Sequence, residues 1–229
     1  MQLIEVDAVT FDDFNTLRYQ VGEQEDIIYP ILRAMDTKIK INKNVFLEAY
    51  FRADKTYRKA LNETLHESLL DGIISGVLVT LGLESSTEIV RKAVDQGLAT
   101  RKTCWYPDAI ETLWTLRKRG YKLGLISNTH WRILENVRNE FNKYFHVITL
   151  SYEHGYAKPH PSIFLATLKK LGASASSCLH VGDDSIADVQ GAKGVGMRTA
   201  FIKRRKEEVD AYVKLEQLSD LLDFLPTKL

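Results

Sequence analysis

The sequence predicts an α/β fold: a doubly wound parallel sheet interrupted, directly after its first strand, by an all-helical insertion. Three observations carry that reading. An apolar run from Val6 through Ala8, Val9 and Phe11 breaks at the polar cluster Asp12, Asp13, Asn15 and Thr16, as a buried strand does where it ends in a loop. From about Glu25 to Lys102 the apolar residues recur at helical spacing and no strand pattern intrudes. After Trp105, short apolar runs alternate with helical segments, which calls for parallel strands joined by crossover helices on both faces of a sheet.

Each element has its own local reason. The insertion shows Ile27, Ile28, Ile31, Leu32 and Met35, then Val45, Phe46, Ala49, Tyr50 and Ala53, along one helical face each. Pro107 or Asp108 suits the start of a helix running to Lys118, where Gly120 ends it. A strand is expected over 121–126, a helix over 132–141 and a short strand over 147–150. A helix over 161–171 begins at a proline and stops at Gly172. Then follow a strand over 178–181, a helix over 186–193 and a strand over 198–202. The 229 residues suffice for one well-buried core with a smaller accessory domain. The expected division is a core of residues 1–17 plus 105–229 and a helical cap of residues 18–104.

Composition narrows the function. With 31 basic and 30 acidic side chains the net charge is only +1, too small a field to recruit nucleic acid or an anionic membrane. The run Lys203, Arg204, Arg205, Lys206 lacks interleaved aromatics, so it reads as a solvated loop rather than a nucleic-acid footprint. Cys104 and Cys178 match no zinc spacing, and no charged-then-apolar leader pattern opens the chain. No apolar stretch reaches the roughly 20 residues that cross a bilayer. A soluble, reduced, cytoplasmic protein with a small-molecule partner is therefore expected.

In doubly wound sheets, ligands bind at the carboxyl ends of the strands. There this sequence places Asp12 and Thr16 after the first strand, Ser127 and Asn128 after the second, Lys158 after the third, and Asp183, Asp184 and Asp188 after the fourth. Singly, each has a plain structural role: aspartates form loops, Ser127, Asn128 or Asp184 can cap helices, and Lys158 can be a loop lysine. Together they supply what phosphoryl transfer requires. A carboxylate can attack phosphorus, a divalent ion can screen two anions that must meet, and a lysine with hydroxyl and amide donors can hold phosphate oxygens. Every candidate ligand is oxygen, which favours Mg²⁺.

The segment from Phe11 to Leu17, Phe11-Asp12-Asp13-Phe14-Asn15-Thr16-Leu17, resembles the first motif of the haloacid dehalogenase superfamily. Ile126-Ser127-Asn128 resembles its second motif, Lys158-Pro159 its third, and Val181-Gly182-Asp183-Asp184 through Asp188 its fourth, in the family order. The helical insertion stands where that family carries its cap. The resemblance implies a Rossmann-like core, Asp12 as nucleophile, Lys158 as catalytic and phosphate-binding, and Thr16, Ser127 and Asn128 as substrate-binding. It implies Mg²⁺ held by Asp12, the backbone carbonyl of Phe14, Asp183, and Asp184 or Asp188. One position departs: most phosphatases of the family place a general-acid Asp two residues after the nucleophile, and here that residue is Phe14. Side chains two apart on an extended segment share a face, so Asp13 cannot replace it.

The expected activity is hydrolysis of a small phosphate ester, of triose- or sugar-phosphate type, since some archaeal-type members without the second Asp resemble glyceraldehyde 3-phosphate phosphatases. Phe14 also suggests a 2-haloacid dehalogenase, but that branch does not keep the Gly-Asp-Asp of residues 182–184, and carboxylates crowded beside Asp12 without a cation would blunt it as a nucleophile. A phosphonate hydrolase would need a Schiff-base lysine in the cap, where Lys38, Lys40, Lys43, Lys55 and Lys59 are indistinguishable. A weakly catalytic regulatory protein keeping the fold and metal site is the alternative from another class.

Overall fold

The structure is a computed structural model and describes residues 4–21, 42–60, 69–100, 102–129, 134–204 and 209–228. The core strands are β1 (Ala8–Phe11), β4 (Lys122–Ser127), β5 (Val147–Leu150), β6 (Cys178–Gly182), β7 (Arg198–Ile202) and β8 (Val213–Leu215). They form one six-stranded sheet in the order β5-β4-β1-β6-β7-β8, with every pairing parallel. Because β1 lies between β4 and β6, whatever follows it emerges at the middle of the sheet.

Alternation along β1 divides the core in two. Val9 and Phe11 join a cluster with Leu113 and Leu116 of α4 (Ala109–Lys118), Val137 and Phe141 of α5 (Leu134–Phe141), and Leu218, Leu221 and Leu225 near the C-terminus. Ala8 faces the opposite cluster, with Ile163, Phe164, Leu168 and Leu171 of α7 (Pro161–Leu171), which follows the short α6 (Ser151–His154), and Ala192 of α8 (Gly191–Gly194). Helices thus cover both faces, as the alternation predicts. Full burial of each such Phe or Leu contributes roughly 1.5–3 kcal/mol.

The insertion carries α1 (Lys43–Ala60), α2 (Leu69–Thr80) and α3 (Thr87–Thr100), which bury Phe46, Ala49, Ile73 and Val77 in one cluster and Ile74, Leu78, Val90 and Val94 in another. The periodic residues Ile27, Ile28, Ile31, Leu32 and Met35 lie outside the described residues, as do 132–133 of the helix expected over 132–141. None of the helices among the described residues is long and apolar enough to cross a membrane.

Three features depart from the sequence reading. The insertion is bracketed by a two-stranded antiparallel ribbon, β2 (Arg18–Gln20) with β3 (Thr103–Trp105), where Arg18 pairs with Trp105. The helix expected over 186–193 opens as a π-helical turn, Ser185–Gln190, before α8. A sixth core strand, β8, follows the basic run. Both β8 and the ribbon strands are three residues long, too short for alternation to show a period.

Candidate active site

The carboxyl ends of β1 and β6 bring the site together. The Asp12 amide bonds the Val181 carbonyl at 2.9 Å, continuing the parallel ladder one residue past β1. Its carboxylate is thereby held at the rim, 8% exposed. Beyond it the chain turns sharply. The Asp13 carbonyl accepts the amides of Leu17 at 2.8 Å and Arg18 at 3.1 Å, and Asn15 takes the left-handed φ of 59° that asparagine tolerates.

Asp13 turns away from the rim. Arg18 grips its carboxylate through Nε at 2.8 Å and Nη2 at 2.6 Å, packs its guanidinium 4.6 Å from the Phe141 ring centroid, and also donates to Glu140. Glu140 in turn accepts the Trp105 indole N–H at 2.6 Å. The residue after Asp12 is thus tied to both ribbon strands and to α5, an ion-pair network that the sequence reading missed.

Lys158 is buried, with only 2% of its surface exposed. Its Nζ lies 2.5 Å from Asp12 Oδ1 and 2.6 Å from Asp188 Oδ1. The Asn128 side chain positions it from behind: Oδ1 accepts the Lys158 amide at 2.8 Å and Nδ2 donates to its carbonyl at 3.0 Å. Both functional ends of the Asn128 amide therefore contact Lys158 backbone. Ser127 Oγ accepts from Thr129 Oγ1 at 2.8 Å, which leaves the Ser127 proton to donate elsewhere. Thr16 Oγ1 is buried with no hydrogen-bond partner among the described residues.

The fourth group is built on β6 and the π-helical turn. Asp184 caps that turn, its Oδ1 accepting the amides of Ile186 at 2.9 Å and Ala187 at 2.8 Å, the helix-capping role open to it from sequence. Its carbonyl receives both the Asp188 and Val189 amides, the second being the wide i→i+5 bond of a π turn. Asp188 is thereby carried back over the end of β6. There a Cβ on Gly182 would stand 2.2 Å from Asp188 Cγ, so the carboxylate packs where only glycine permits it.

Among the described residues, Asp12, Asp183 and Asp188 each offer a carboxylate oxygen within 4.8 Å of the others, and all three are buried. Asp184 is not one of that group. Two of these carboxylates, Asp12 and Asp188, contact Lys158, the third lies beside them, and all the donors are hard oxygen, which fits a divalent cation of the Mg²⁺ type. Burial pushes the Asp12 carboxyl well above its ordinary range, and Asp188 and Asp183 add to that against the opposing pull of Lys158. Burial opposes ionisation of Asp188 too, but Lys158 and the His180 hydrogen bond outweigh it and hold that carboxyl far below the usual range. Lys158 stays protonated because Asp12 and Asp188 outweigh its desolvation.

His180 and Thr10 complete the surroundings. His180 Nε2 lies 3.2 Å from Asp188 Oδ1, its Nδ1 lies 2.9 Å from Thr10 Oγ1, and both residues are buried within their strands. Polar residues in otherwise apolar core strands are the signal that could have found them.

Residues 6–196 match the family model described as haloacid dehalogenase-like hydrolase. A glyceraldehyde 3-phosphate phosphatase of Methanopyrus kandleri is 37% identical over 138 residues, 57% of this chain and 58% of that protein. The chain spans about half the length of several such relatives. A HAD phosphatase crystal structure from Thermococcus onnurineus superposes with a TM-score of 0.66 at 25% identity, covering 96% of this chain and 99% of that one. A 2-haloacid dehalogenase from Pseudomonas syringae gives 0.63 at 21% identity, covering 96% and 97%, a likeness of fold alone.

Proposed function

The chain belongs to the haloacid dehalogenase-like hydrolases, and from that premise we propose that it is a magnesium-dependent phosphatase of small phosphate esters, of the triose- or sugar-phosphate type. The observation that carries this reading is the buried set of Asp12, Asp183 and Asp188 around Lys158. The name borne by the Methanopyrus relative supports the substrate class. In this reading residues 18–104 act as the cap and residues 1–17 with 105–229 as the catalytic core.

An Asp12 carboxylate oxygen attacks phosphorus, and the bond from phosphorus to the ester oxygen breaks, giving an aspartyl phosphate and an alkoxide that takes its proton from water. Water then attacks the same phosphorus, the bond to Asp12 breaks, and inorganic phosphate leaves with the carboxylate regenerated. Lys158 holds the nonbridging oxygens as their charge reorganises, with the Ser127 proton and the Thr16 hydroxyl directed to the same group. Asn128 sets the reach of Lys158 through the lysine backbone. Asp12, Asp183, Asp188 and the Phe14 carbonyl would hold Mg²⁺, which when bound offsets the repulsion between nucleophile and phosphate. Asp184 serves this site by capping the turn that presents Asp188.

Phe14 keeps dehalogenation of a 2-haloacid as the second reading. Three buried carboxylates at one point weigh against it, because they disfavour an ionised Asp12 unless a cation is present. For the phosphonate hydrolase reading, Lys38 and Lys40 lie outside the described residues, and the side chains of Lys43, Lys55 and Lys59 are likewise undescribed. A screen of small phosphate esters and 2-chloropropionate, with Mg²⁺ or with excess chelator, decides between them. Ester hydrolysis that vanishes with chelator and returns with Mg²⁺ is expected; haloacid turnover in excess chelator would overturn the proposal.

A further inference from the structure

Thr10 and His180 are direct partners in the register of β1 and β6, and both are polar residues sealed in the core, 0% and 1% exposed. Their hydrogen bonds continue outward. Thr10 Oγ1 meets His180 Nδ1 at 2.9 Å, His180 Nε2 meets Asp188 Oδ1 at 3.2 Å, Lys158 Nζ meets the same Oδ1 at 2.6 Å, and Lys158 Nζ meets Asp12 Oδ1 at 2.5 Å. The chain of contacts starts on β1 and returns to the residue just beyond β1, so it closes into a ring through the backbone.

We propose that His180 is a positioning residue: held by the Thr10 hydroxyl in its Nε2–H tautomer, it fixes the rotation of the Asp188 carboxylate and, through it, the approach of Lys158 to Asp12. The kinetic part of this inference rests on the phosphatase reading; the tautomer does not.

The tautomer follows from the acceptors. An ionised carboxylate only accepts, so the nitrogen facing Asp188 must carry the proton, and in a neutral imidazole the other nitrogen is then an acceptor. Thr10 consequently donates to Nδ1, its other acceptor, the Leu179 carbonyl, lying farther away at 3.5 Å. The opposite tautomer would set a lone pair against Asp188 Oδ1. Phe164 meets the imidazole edge-on, with centroids 5.3 Å apart and planes at 89°, which holds the ring in this plane.

The need for such a brace lies in the softness of the groups it orients. A carboxylate rotates easily about its last torsion, and a lysine ammonium rides on a flexible four-carbon stem. Asp188 Oδ2 is fixed by the Asp184 amide at 3.0 Å, and Oδ1 is shared between Lys158 and His180. Removing His180 would leave Oδ1 with the flexible lysine as its one direct partner among the described residues, and the Asp184 amide on Oδ2 as the remaining restraint on the carboxylate.

The first test labels the intact protein with ¹⁵N-histidine and reads the long-range imidazole correlations near neutral pH, with the His180 signal assigned by its absence in His180→Gln. The Nε2–H pattern is expected, with Thr10→Val eroding it; an Nδ1–H pattern in the parent overturns the proposal. The second measures Mg²⁺-supported hydrolysis of p-nitrophenyl phosphate by variants shown to be folded by circular dichroism. His180→Phe should lower kcat by about 10- to 100-fold with a smaller change in KM, the loss typical when a group that orients a ligand is removed. His180→Gln, which can present an amide donor to Asp188, should recover much of it. Thr10→Val should fall between, and should add nothing in a His180→Phe background. Equal losses for Gln and Phe, or a Thr10→Val loss that simply adds, would overturn the inference. Should His180→Phe fail to fold, the near-isosteric Thr10→Val and the tautomer remain decisive. A parent without phosphatase activity would count against the proposed function alone, and the tautomer would still decide the positioning role.

Discussion

Lys158 Nζ and Asp12 Oδ1 are 2.5 Å apart in a place where the lysine is almost wholly removed from solvent. A lysine so placed is not a surface charge that happens to lie near the rim. It partly compensates the buried carboxylates of Asp12 and Asp188 and, in the proposed reaction, stands where a phosphate attacked by Asp12 would arrive.

Lys158→Ala should therefore damage both folding and chemistry. Leaving buried carboxylates without their cation costs about 3–5 kcal/mol in comparable cases, and loss of a preorganised donor slows transfer by about 10²- to 10³-fold. Urea unfolding with Mg²⁺ absent, and kcat and KM with Mg²⁺ present, measure the two effects separately. A variant matching the parent in both would return Lys158 to the status of an ordinary loop lysine.

Asp12→Asn should abolish turnover while the protein stays folded. The substitution removes one of three crowded carboxylates, and Lys158 keeps its bond to Asp188. Thermal melts should show a midpoint close to the parent's. Activity above the background of a mock preparation would mean that the nucleophile has been misassigned.

Asp13→Asn supplies the converse case. Arg18 binds both Asp13 oxygens in a nearly dry setting, so weakening that pair should lower stability by roughly 2 kcal/mol. Because the side chain points away from the rim, kcat should change far less than in Asp12→Asn. Complete loss of turnover in a folded Asp13→Asn protein would contradict this division of labour between neighbours.

The parts of this site that were legible in sequence are those that follow long, apolar strands. Asp12 and Asp183 stand one residue beyond β1 and β6, Lys158 and Asp188 lie in the segments that follow β5 and β6, and parallel topology sends all these segments to one rim. What stayed hidden depends on pairing across the chain. Nothing local says that Arg18 will reach Glu140 on α5, or that Thr10 will stand opposite His180, since each contact exists only once strand register is set. Asp184 illustrates a different limit. As a site residue and as a helix cap it has the same sequence signature, and the geometry of the turn after it is what displays the cap.

Phe14 most distinguishes this chain from phosphatases that carry a second aspartate. It lies two residues beyond Asp12, half-buried, at the start of the turn that Asn15 completes with its positive φ. A positioned general acid contributes about 10²- to 10⁴-fold, and a phenyl ring has no proton to give to a departing alkoxide. Hydrolysis should consequently track leaving-group ability, with aryl phosphates cleaved much faster than alkyl phosphates. Phe14→Asp should narrow that gap by accelerating alkyl esters selectively, because an aryl oxide leaves without help. The cost is structural: removing a half-buried ring forfeits part of the roughly 3–5 kcal/mol lost when a fully buried Phe is cut to Ala, so circular dichroism and a thermal melt come first. Rates on p-nitrophenyl phosphate and on glycerol phosphate, compared as a ratio between parent and variant, then read the effect free of differences in active fraction. A folded Phe14→Asp protein whose ratio is unchanged would mean that another group already delivers the proton, and that the ring is there for packing alone.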